Sequence, residues 1–349
     1  MSWGLLSLAQ LVLILDVTVV NVALPAIGAG LHLDRPTLTW VLTAYTLVFG
    51  GLVLLGGRLA DLADARRLML TGASSGFGRD TAETLHRAGH TVYASMRGAQ
   101  GKNREAAEAL RKLGIKTVEL DVSDDASVEA GVKNVLAKAA TIDVLVNNAG
   151  IGSAGVTEAF TAEQAKVIFD TNVIGLLRVT RAVLPSMRQQ RDGLIINIGS
   201  ILGRVTFPFL GIYGASKFAV EALTDSLRYE VSQLGVEVVE VQPSAYPTNF
   251  LTSSQTPAGT EVAKSYGEVG RIPDALFKSL TSTLEGKDAP NPHDVAEAIV
   301  KLIGQAKGSR AVRTVVGAPF GSDKANQDVA PVQAKVVEAL GLSHLEKVA

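Results

Sequence analysis

Two side chains four residues apart, Tyr213 and Lys217 in the run Tyr213-Gly214-Ala215-Ser216-Lys217, have the types and the spacing to move a proton. On a helix they share one face. A phenol, with an ordinary pKa of about 10, is a poor base at neutral pH, and a neighbouring ammonium brings that value down by stabilising the phenolate. Ser200 stands just after the β-branched run Leu194–Ile198, with a hydroxyl able to polarise a carbonyl or hold the corresponding alcohol. Singly, these are as ordinary as a surface pair and a turn serine. Together they describe acid–base chemistry on a carbon–oxygen bond.

A second cluster comes earlier. Thr71-Gly72-Ala73-Ser74-Ser75-Gly76-Phe77-Gly78 follows the first strand-like run and leads into a helical one. Gly72 suits a tight turn, Gly76 lets backbone approach a pyrophosphate, and Gly78 permits close helix–strand contact, with Ser74, Ser75 and Phe77 completing the loop. The phosphates would rest at the helix N-terminus, where free N–H groups and the dipole favour anions. A glycine cluster alone is a weak signal, but at the first strand-to-helix junction it points to a dinucleotide. The next strand-like run ends at Ala94-Ser95-Met96-Arg97. A site for NAD offers a carboxylate there, which Met96 lacks, whereas Arg97 can pair with a 2′-phosphate. The expectation is NADP(H) over NAD(H), against the plainer reading of Arg97 as a solvated surface residue. Asp121 and Val122, closing the third run, would border the adenine.

These residues need a scaffold, and the rest of the chain describes one. Short apolar, β-branched runs at Leu68–Leu70, Thr91–Ala94, Lys116–Leu120, Val144–Val146, Leu194–Ile198, Val236–Val241 and Val312–Val316 alternate with helical periodicity at Arg79–Ala88, Asn103–Leu113, Ser127–Ala139, Ala162–Gln190 and Lys217–Leu234. Alternation of this kind predicts a doubly wound α/β fold, a parallel sheet of about seven strands with helices on both faces. Ser200 and Tyr213 then meet at the carboxyl edge, where ligands bind. Residues 244–291 show the least regular pattern and read as a lid.

Composition excludes other chemistries. The 349 residues carry 33 Lys and Arg against 34 Asp and Glu, a net charge of -1, which gives no general attraction for nucleic acid. Cysteine is absent, removing thiolate nucleophiles and Cys-ligated metals, and the five histidines show no ligand-like spacing, so no metal site is expected.

Charge is unevenly spread. Residues 1–57 hold only Asp16, Asp34 and Arg35; an almost continuously apolar stretch, Trp3 to Leu33, broken by one charge at Asp16, and an uncharged one, Pro36 to Gly57, are each long enough to cross a bilayer. Arg58, Arg66 and Arg67 follow the second, so the positive-inside rule places both ends of this hairpin, and the domain after it, on the cytoplasmic side. The organisation expected is a transmembrane-like hairpin over 1–65 and a catalytic domain over 66–349, the hairpin anchoring the chain in a membrane through residues 4–59 or being a fusion that adds little. A buried soluble hairpin is the competing reading. Asp16 would be costly in lipid without a partner.

The hairpin resembles the start of a multidrug antiporter of the major facilitator superfamily, through Leu15-Asp16-Val17-Thr18-Val19-Val20-Asn21-Val22-Ala23-Leu24-Pro25, Trp40, Tyr45 and Gly57-Arg58-Leu59-Ala60-Asp61. That resemblance stops near residue 67, and two helices cannot enclose a transport pathway. Residues 68–349 resemble the short-chain dehydrogenase/reductase family, through the Thr71–Gly78 loop, Asn147-Asn148-Ala149-Gly150, Asn172, Ser200 and the Tyr213–Lys217 motif. The resemblance implies that Tyr213 is the general acid/base, that Lys217 binds the nicotinamide ribose and tunes it, and that Ser200 orients the substrate oxygen. It also implies that Asn172 holds a relay water, and that Asn148, Ala149 and Gly150 brace the sheet and line the cofactor channel. Pro243-Ser244 departs from the family's Pro-Gly, leaving the local turn in doubt, while Thr248 can still reach the carboxamide. Any strain at the junction with the hairpin should show at Arg66-Arg67. The loop from Ile201 to Leu210, with Tyr246, Phe250, Leu251, Tyr266 and Phe277, is similar to the hydroxysteroid and retinol dehydrogenase branch and implies a lipophilic alcohol or carbonyl substrate, although several of these side chains could equally pack the lid. Family members commonly form homo-oligomers. A non-catalytic cofactor-binding scaffold is the alternative to an enzyme.

Overall fold

The computed structural model describes residues 65–349 and a scatter of positions between Ala23 and Val48. Its contacts divide the chain into Met1–Ala65 and Arg66–Ala349. In the first unit, residues 25–31 are helical, as are Pro36, Thr37, Thr39, Trp40 and several positions up to Val48. The Asp34 carboxylate accepts a hydrogen bond from the Thr37 backbone N–H at 3.1 Å, beside a proline placed where a helix start tolerates it. Among the described residues no helix is long and apolar enough to cross a membrane. Asp16, Tyr45, the Gly57–Asp61 motif and most of the expected hairpin lie outside the described residues.

The second unit is built on seven parallel strands in the order β3-β2-β1-β4-β5-β6-β7. They are β1 (Arg67–Leu70), β2 (Thr91–Met96), β3 (Lys116–Glu119), β4 (Val144–Asn147), β5 (Gly193–Ile198), β6 (Val236–Pro243) and β7 (Arg313–Val316). All seven expected strands are present, within two residues at each end. Alternate residues feed opposite faces: Leu68 and Leu70 pack with α1 (Gly76–Arg87) and α2 (Arg104–Lys112), and Met69 with α3 (Asp125–Ala139) and the helix after Asn172. Each large side chain so buried contributes about 1.5–3 kcal/mol. The order reverses between β1 and β4, so a crevice opens above their carboxyl ends.

Four features differ from expectation. The stretch 162–190 is not one helix: α4 (Ala162–Phe169) and α5 (Gly175–Gln190) are joined by a π turn at Asp170–Ile174, whose extra residue re-aims Asn172. The helix carrying the tyrosine, α6 (Gly211–Ser232), begins two residues before the Tyr213–Lys217 run expected to open it, because its first turn is glycine-spaced and hides the apolar period. The supposed irregular lid holds α7 (Asn249–Thr252), α8 (Thr260–Ser265) and α9 (Glu268–Leu284), their pattern interrupted by Gly259, Gly267 and Pro273. Two further helices, α10 (His293–Gly304) and α11 (Ser322–Ala339), complete the body; α10 buries Val295, Ile299 and Leu302 in the core.

The junction is unstrained. No residue from Ala65 to Thr71 has positive φ. Arg67 is instead anchored by Asp143, which accepts from its backbone N at 2.7 Å, its Nε at 2.9 Å and its Nη2 at 2.9 Å. Among the described residues every core cluster lies beyond residue 66. A chain beginning at residue 65 is therefore expected to fold cooperatively, and a melt without a sigmoidal transition would refute this. In that chain Asp143→Ala should cost about 2 kcal/mol by stranding the Arg67 donors, measured by urea unfolding.

Candidate active site

At the crevice the loop after β1 is clamped to the loop after β4. Thr71 Oγ1 accepts from the backbone N–H groups of Asn148 and Ala149, both at 3.0 Å. Asn148 Nδ2 returns the contact, donating to the carbonyls of Thr71 at 2.9 Å and Gly72 at 3.2 Å. The glycines answer to this packing. Gly72 has φ +70° and Gly76 φ +54°, while a Cβ on Gly78 would lie 2.3 Å from the Gly72 carbonyl oxygen. Ser75, at the N-cap of α1, makes no side-chain cap bond, so no side chain shields the helix N-terminus. Thr248 faces Gly76, and a Cβ there would sit 3.7 Å from the threonine Cβ. Ser74 is half-buried in the loop, and the Phe77 ring packs edge-on against Tyr246, with centroids 5.4 Å apart. A cradle of open N–H groups, closed by glycine on one side and threonine on the other, fits a pyrophosphate.

The next strand ends beside a small charged cluster. Arg97 is exposed, and its backbone carbonyl accepts from Asn103 Nδ2 at 2.7 Å. Glu119 holds the turn by accepting from the N–H groups of Gly98 and Ala99, each at 2.6 Å. Burial pushes the Asp121 carboxyl up, but hydrogen bonds from Ser123 and the charges of Arg97 and Lys102 outweigh it and hold the group below the usual carboxylate range. Lys102 is a second cation at this spot that sequence reading missed. Val122 is buried and packs against Gly175.

Ser200, Tyr213 and Lys217 come together at the ends of β5 and α6, all less than a tenth exposed. Ser200 follows β5, caps a short 3-10 turn by accepting from the Leu202 N–H at 3.1 Å, and hydrogen-bonds Tyr213. Lys217 Nζ donates to the Ile198 carbonyl at 2.7 Å and lies 5.8 Å from the centre of the Tyr213 ring. Phe250, from α7, packs on that ring at a centroid distance of 5.3 Å. Asn172 binds both backbone groups of Ile151, accepting at 2.8 Å and donating at 2.9 Å, and donates to Ser216 Oγ at 3.1 Å. Gly150 packs against its side-chain oxygen. The asparagine thus ties the β4 loop to the residue preceding Lys217 without an observed contact to Lys217 itself.

The lowering of the phenol expected from the amine together with a cationic nicotinamide is not produced by the protein's own side chains. Burial pushes Tyr213 up to about 12, with the Ser200 hydrogen bond pulling the other way. Burial also brings Lys217 down to about 8, opposed by the charges of Glu240 and Glu221. In this protein alone, removal from water dominates the effect of amine on phenol.

Other calls resolve plainly. Pro243 closes β6 in the buried sheet, and Ser244 needs no glycine: its N–H donates to Val316 at 2.9 Å, while Gly317, at φ +85°, leaves room for its hydroxyl. Tyr246 and Tyr266 are not pocket walls. The first packs on Phe77 and reaches Asp294, and the second is exposed and donates to Glu158 at 2.6 Å. Ile201, Leu202, Phe207, Leu210 and Phe250 do gather around Tyr213. Among the described residues no group of acidic or histidine side chains could hold a metal. Glu240 and Glu221, buried behind Lys217, were missed; an acid inside the β-branched run Val236–Val241 was the available signal.

Known proteins with related sequences and structures agree with this geometry. A model of the short chain dehydrogenase family matches residues 66–258, and one of the major facilitator superfamily matches residues 6–77. The chain is 35% identical over 251 residues to a 3-ketodihydrosphingosine reductase of Bacteroides thetaiotaomicron, covering 72% of this chain and 87% of that protein. It is 32% identical over 266 residues to retinol dehydrogenase 8 of Bos taurus, covering 72% and 83%. A short-chain dehydrogenase from Streptomyces avermitilis superposes with a TM-score of 0.64 at 28% identity, over 79% of this chain and 97% of that one. An alcohol dehydrogenase from Thermococcus sibiricus, complexed with 5-hydroxy-NADP, does so with a TM-score of 0.58 at 26% identity, over 72% and 96%. A third neighbour, a short-chain dehydrogenase/reductase from Burkholderia phymatum in complex with NAD, gives 0.63 at 25% identity, over 77% and 95%. From Arg66 onward the chain is a nicotinamide-dependent oxidoreductase, and it belongs to the short-chain dehydrogenase family.

Proposed function

We propose that the chain interconverts a lipophilic secondary alcohol and its carbonyl compound with NADP(H), and that Tyr213 carries the proton. The observation that supports this most directly is the convergence of Ser200, Tyr213 and Lys217 beside the glycine cradle. The nicotinamide supplies or accepts a hydride when bound. Gly72, Ser74, Ser75, Gly76, Phe77 and Gly78 would hold its pyrophosphate, Asp121 and Val122 its adenine, and Lys217 its ribose. Asn148, Ala149, Gly150, Pro243 and Thr248 would line its nicotinamide end.

In reduction, Ser200 Oγ and Tyr213 Oη both donate to the substrate oxygen, and Tyr213 Oη gives up its proton as charge develops there. A phenol raised to about 12 is protonated at neutral pH and so has the proton that reduction requires. In oxidation the same oxygen must first be deprotonated. Ile201, Phe207, Leu210 and Phe250 exclude water around it and favour an apolar substrate. Arg97 and Lys102, both beside Asp121, favour the 2′-phosphate of NADP(H).

The charge-poor segment over 4–59, followed by Arg58, Arg66 and Arg67, supports attachment to the cytoplasmic face of a membrane. The exposed Val167, Ile174, Leu177 and Phe218 support a homo-oligomer.

Tyr213→Phe should abolish turnover of a ketone by NADPH while leaving cofactor affinity within about twofold, since the ring and its Phe250 contact remain. Retained turnover would return the chain to the scaffold reading. Arg97→Ala should cost about tenfold or more in kcat/KM with NADPH and little with NADH; equal losses with both would remove the NADP(H) assignment. Because the phenol is raised, alcohol oxidation should climb with pH from 7 to 10, whereas ketone reduction should stay level between pH 6 and 8; stopped initial-rate profiles in both directions check the sign.

A further inference from the structure

Glu240 sits in the middle of β6, opposite Asn197 of β5, and is completely buried. Neither of its carboxyl oxygens meets a hydrogen-bond donor among the described residues, and the side chain it does approach, Glu221, is another acid. An acid so placed costs several kcal/mol of desolvation without a compensating pair, so packing alone does not account for it.

Its position is informative. A Cβ on Gly199 would lie 1.7 Å from Glu240 Oε1, and Gly199 does not have positive φ. Glycine at 199 is therefore required by the carboxyl and not by the backbone turn. Gly199 lies between Ile198, whose carbonyl accepts from Lys217, and Ser200. The carboxyl of Glu240 thus backs onto the peptide segment that holds both the amine and the serine.

The surrounding charges decide which acid carries a proton. From α6 come Lys217, Glu221 and Asp225, from β7 Arg313, and from the turn after β5 Arg204. Arg313 donates to Glu221 at 2.7 Å and to Asp225 at 2.6 Å, and Arg204 lies 3.3 Å from the same Glu221 oxygen. The other oxygen of Glu221 accepts from Gln242, which in turn accepts from Asn326 at 2.7 Å. Both oxygens of Glu221 are saturated by cations and amides. Glu240 has none of these partners, and burial together with the Glu221 charge raises it well above the ordinary carboxylate range. Glu240 therefore keeps a proton at low pH, and its charge, once formed, raises Lys217 against the burial that lowers the amine.

We propose that Glu240 is a positioning residue for Lys217, a buried counter-charge that keeps the amine cationic from behind the catalytic strand. The role rests on the functional reading of Lys217 given above. As pH rises into the range where the amine titrates, Glu240 gives up its proton to solvent and becomes the balancing anion beside the charged Lys217. Lys217 therefore stays charged over a wider pH range than burial alone would permit.

The test uses the full-length protein and the conservative variant Glu240→Gln, which keeps the shape and removes the charge. The pH profile of NADPH-dependent reduction of 2-decanone is followed by absorbance, with the thermal midpoint recorded alongside. Loss of the counter-charge should move the alkaline fall in kcat downward by about one pH unit with the midpoint little changed, and Glu240→Asp should move it back. A Glu240→Gln enzyme with the wild-type profile overturns the proposal, whatever its kcat. A second measurement does not depend on that variant folding or on turnover. Infrared difference spectra of the wild-type protein should show a protonated-carboxyl stretch that shifts or disappears as pH rises through about 8, where Lys217 titrates. No carboxyl change across that range also overturns it. Absence of turnover by wild type with every carbonyl and alcohol tried would instead sink the functional reading, and the infrared result would still decide the role of Glu240.

Discussion

The hydrogen bond from Lys217 Nζ to the Ile198 carbonyl joins α6 to the end of β5, and the geometry of the site depends on it. An amine removed from water must find an acceptor or lose its proton. The main-chain oxygen satisfies one N–H without contributing a full negative charge, which leaves the amine aimed at the cleft with its titration moved close to physiological pH. Tyr213, one turn earlier on the same helix, is buried by the same packing, and its hydroxyl finds Ser200 as partner. Phenol, serine hydroxyl and amine are thus held by two elements and need no mobile loop to assemble them.

The opposite wall of the crevice follows another constraint. Backbone must approach a doubly charged pyrophosphate closely, and that demands both glycines and a fixed loop. Thr71 and Asn148 supply the fixing by exchanging hydrogen bonds between the turns after β1 and β4. Substitution of Gly78 would drive a methyl group into the Gly72 carbonyl. The cofactor cradle and the central strands of the sheet are in this sense one object.

Much of this was legible in the chain. The seven strands stood out because a parallel sheet covered on both faces makes each strand a short apolar run, and the helices between them kept their period. The site residues were legible through spacing: Tyr213 with Lys217, Gly72 with Gly76 and Gly78. Less visible were α10 and α11, and the helices of the supposed lid, because Gly259, Gly267 and Pro273 read as breakers in a single pass. The π turn at Asp170–Ile174 leaves no local signature at all, since one extra residue in a helix changes aim without changing composition.

Sequence by itself determined the class of fold, the order of its elements and the candidates for the reacting groups, because periodicity and motif spacing are local properties of the chain. Tertiary structure alone decided their chemistry. Whether Tyr213 is acidic or basic is set by how much water its fold removes, and burial raised the phenol where the adjacent amine had suggested a lowering. The pairing of Gly199 with Glu240 likewise appears only when β5 and β6 lie side by side, because 41 positions of chain separate a missing methyl group from the carboxyl that takes its place.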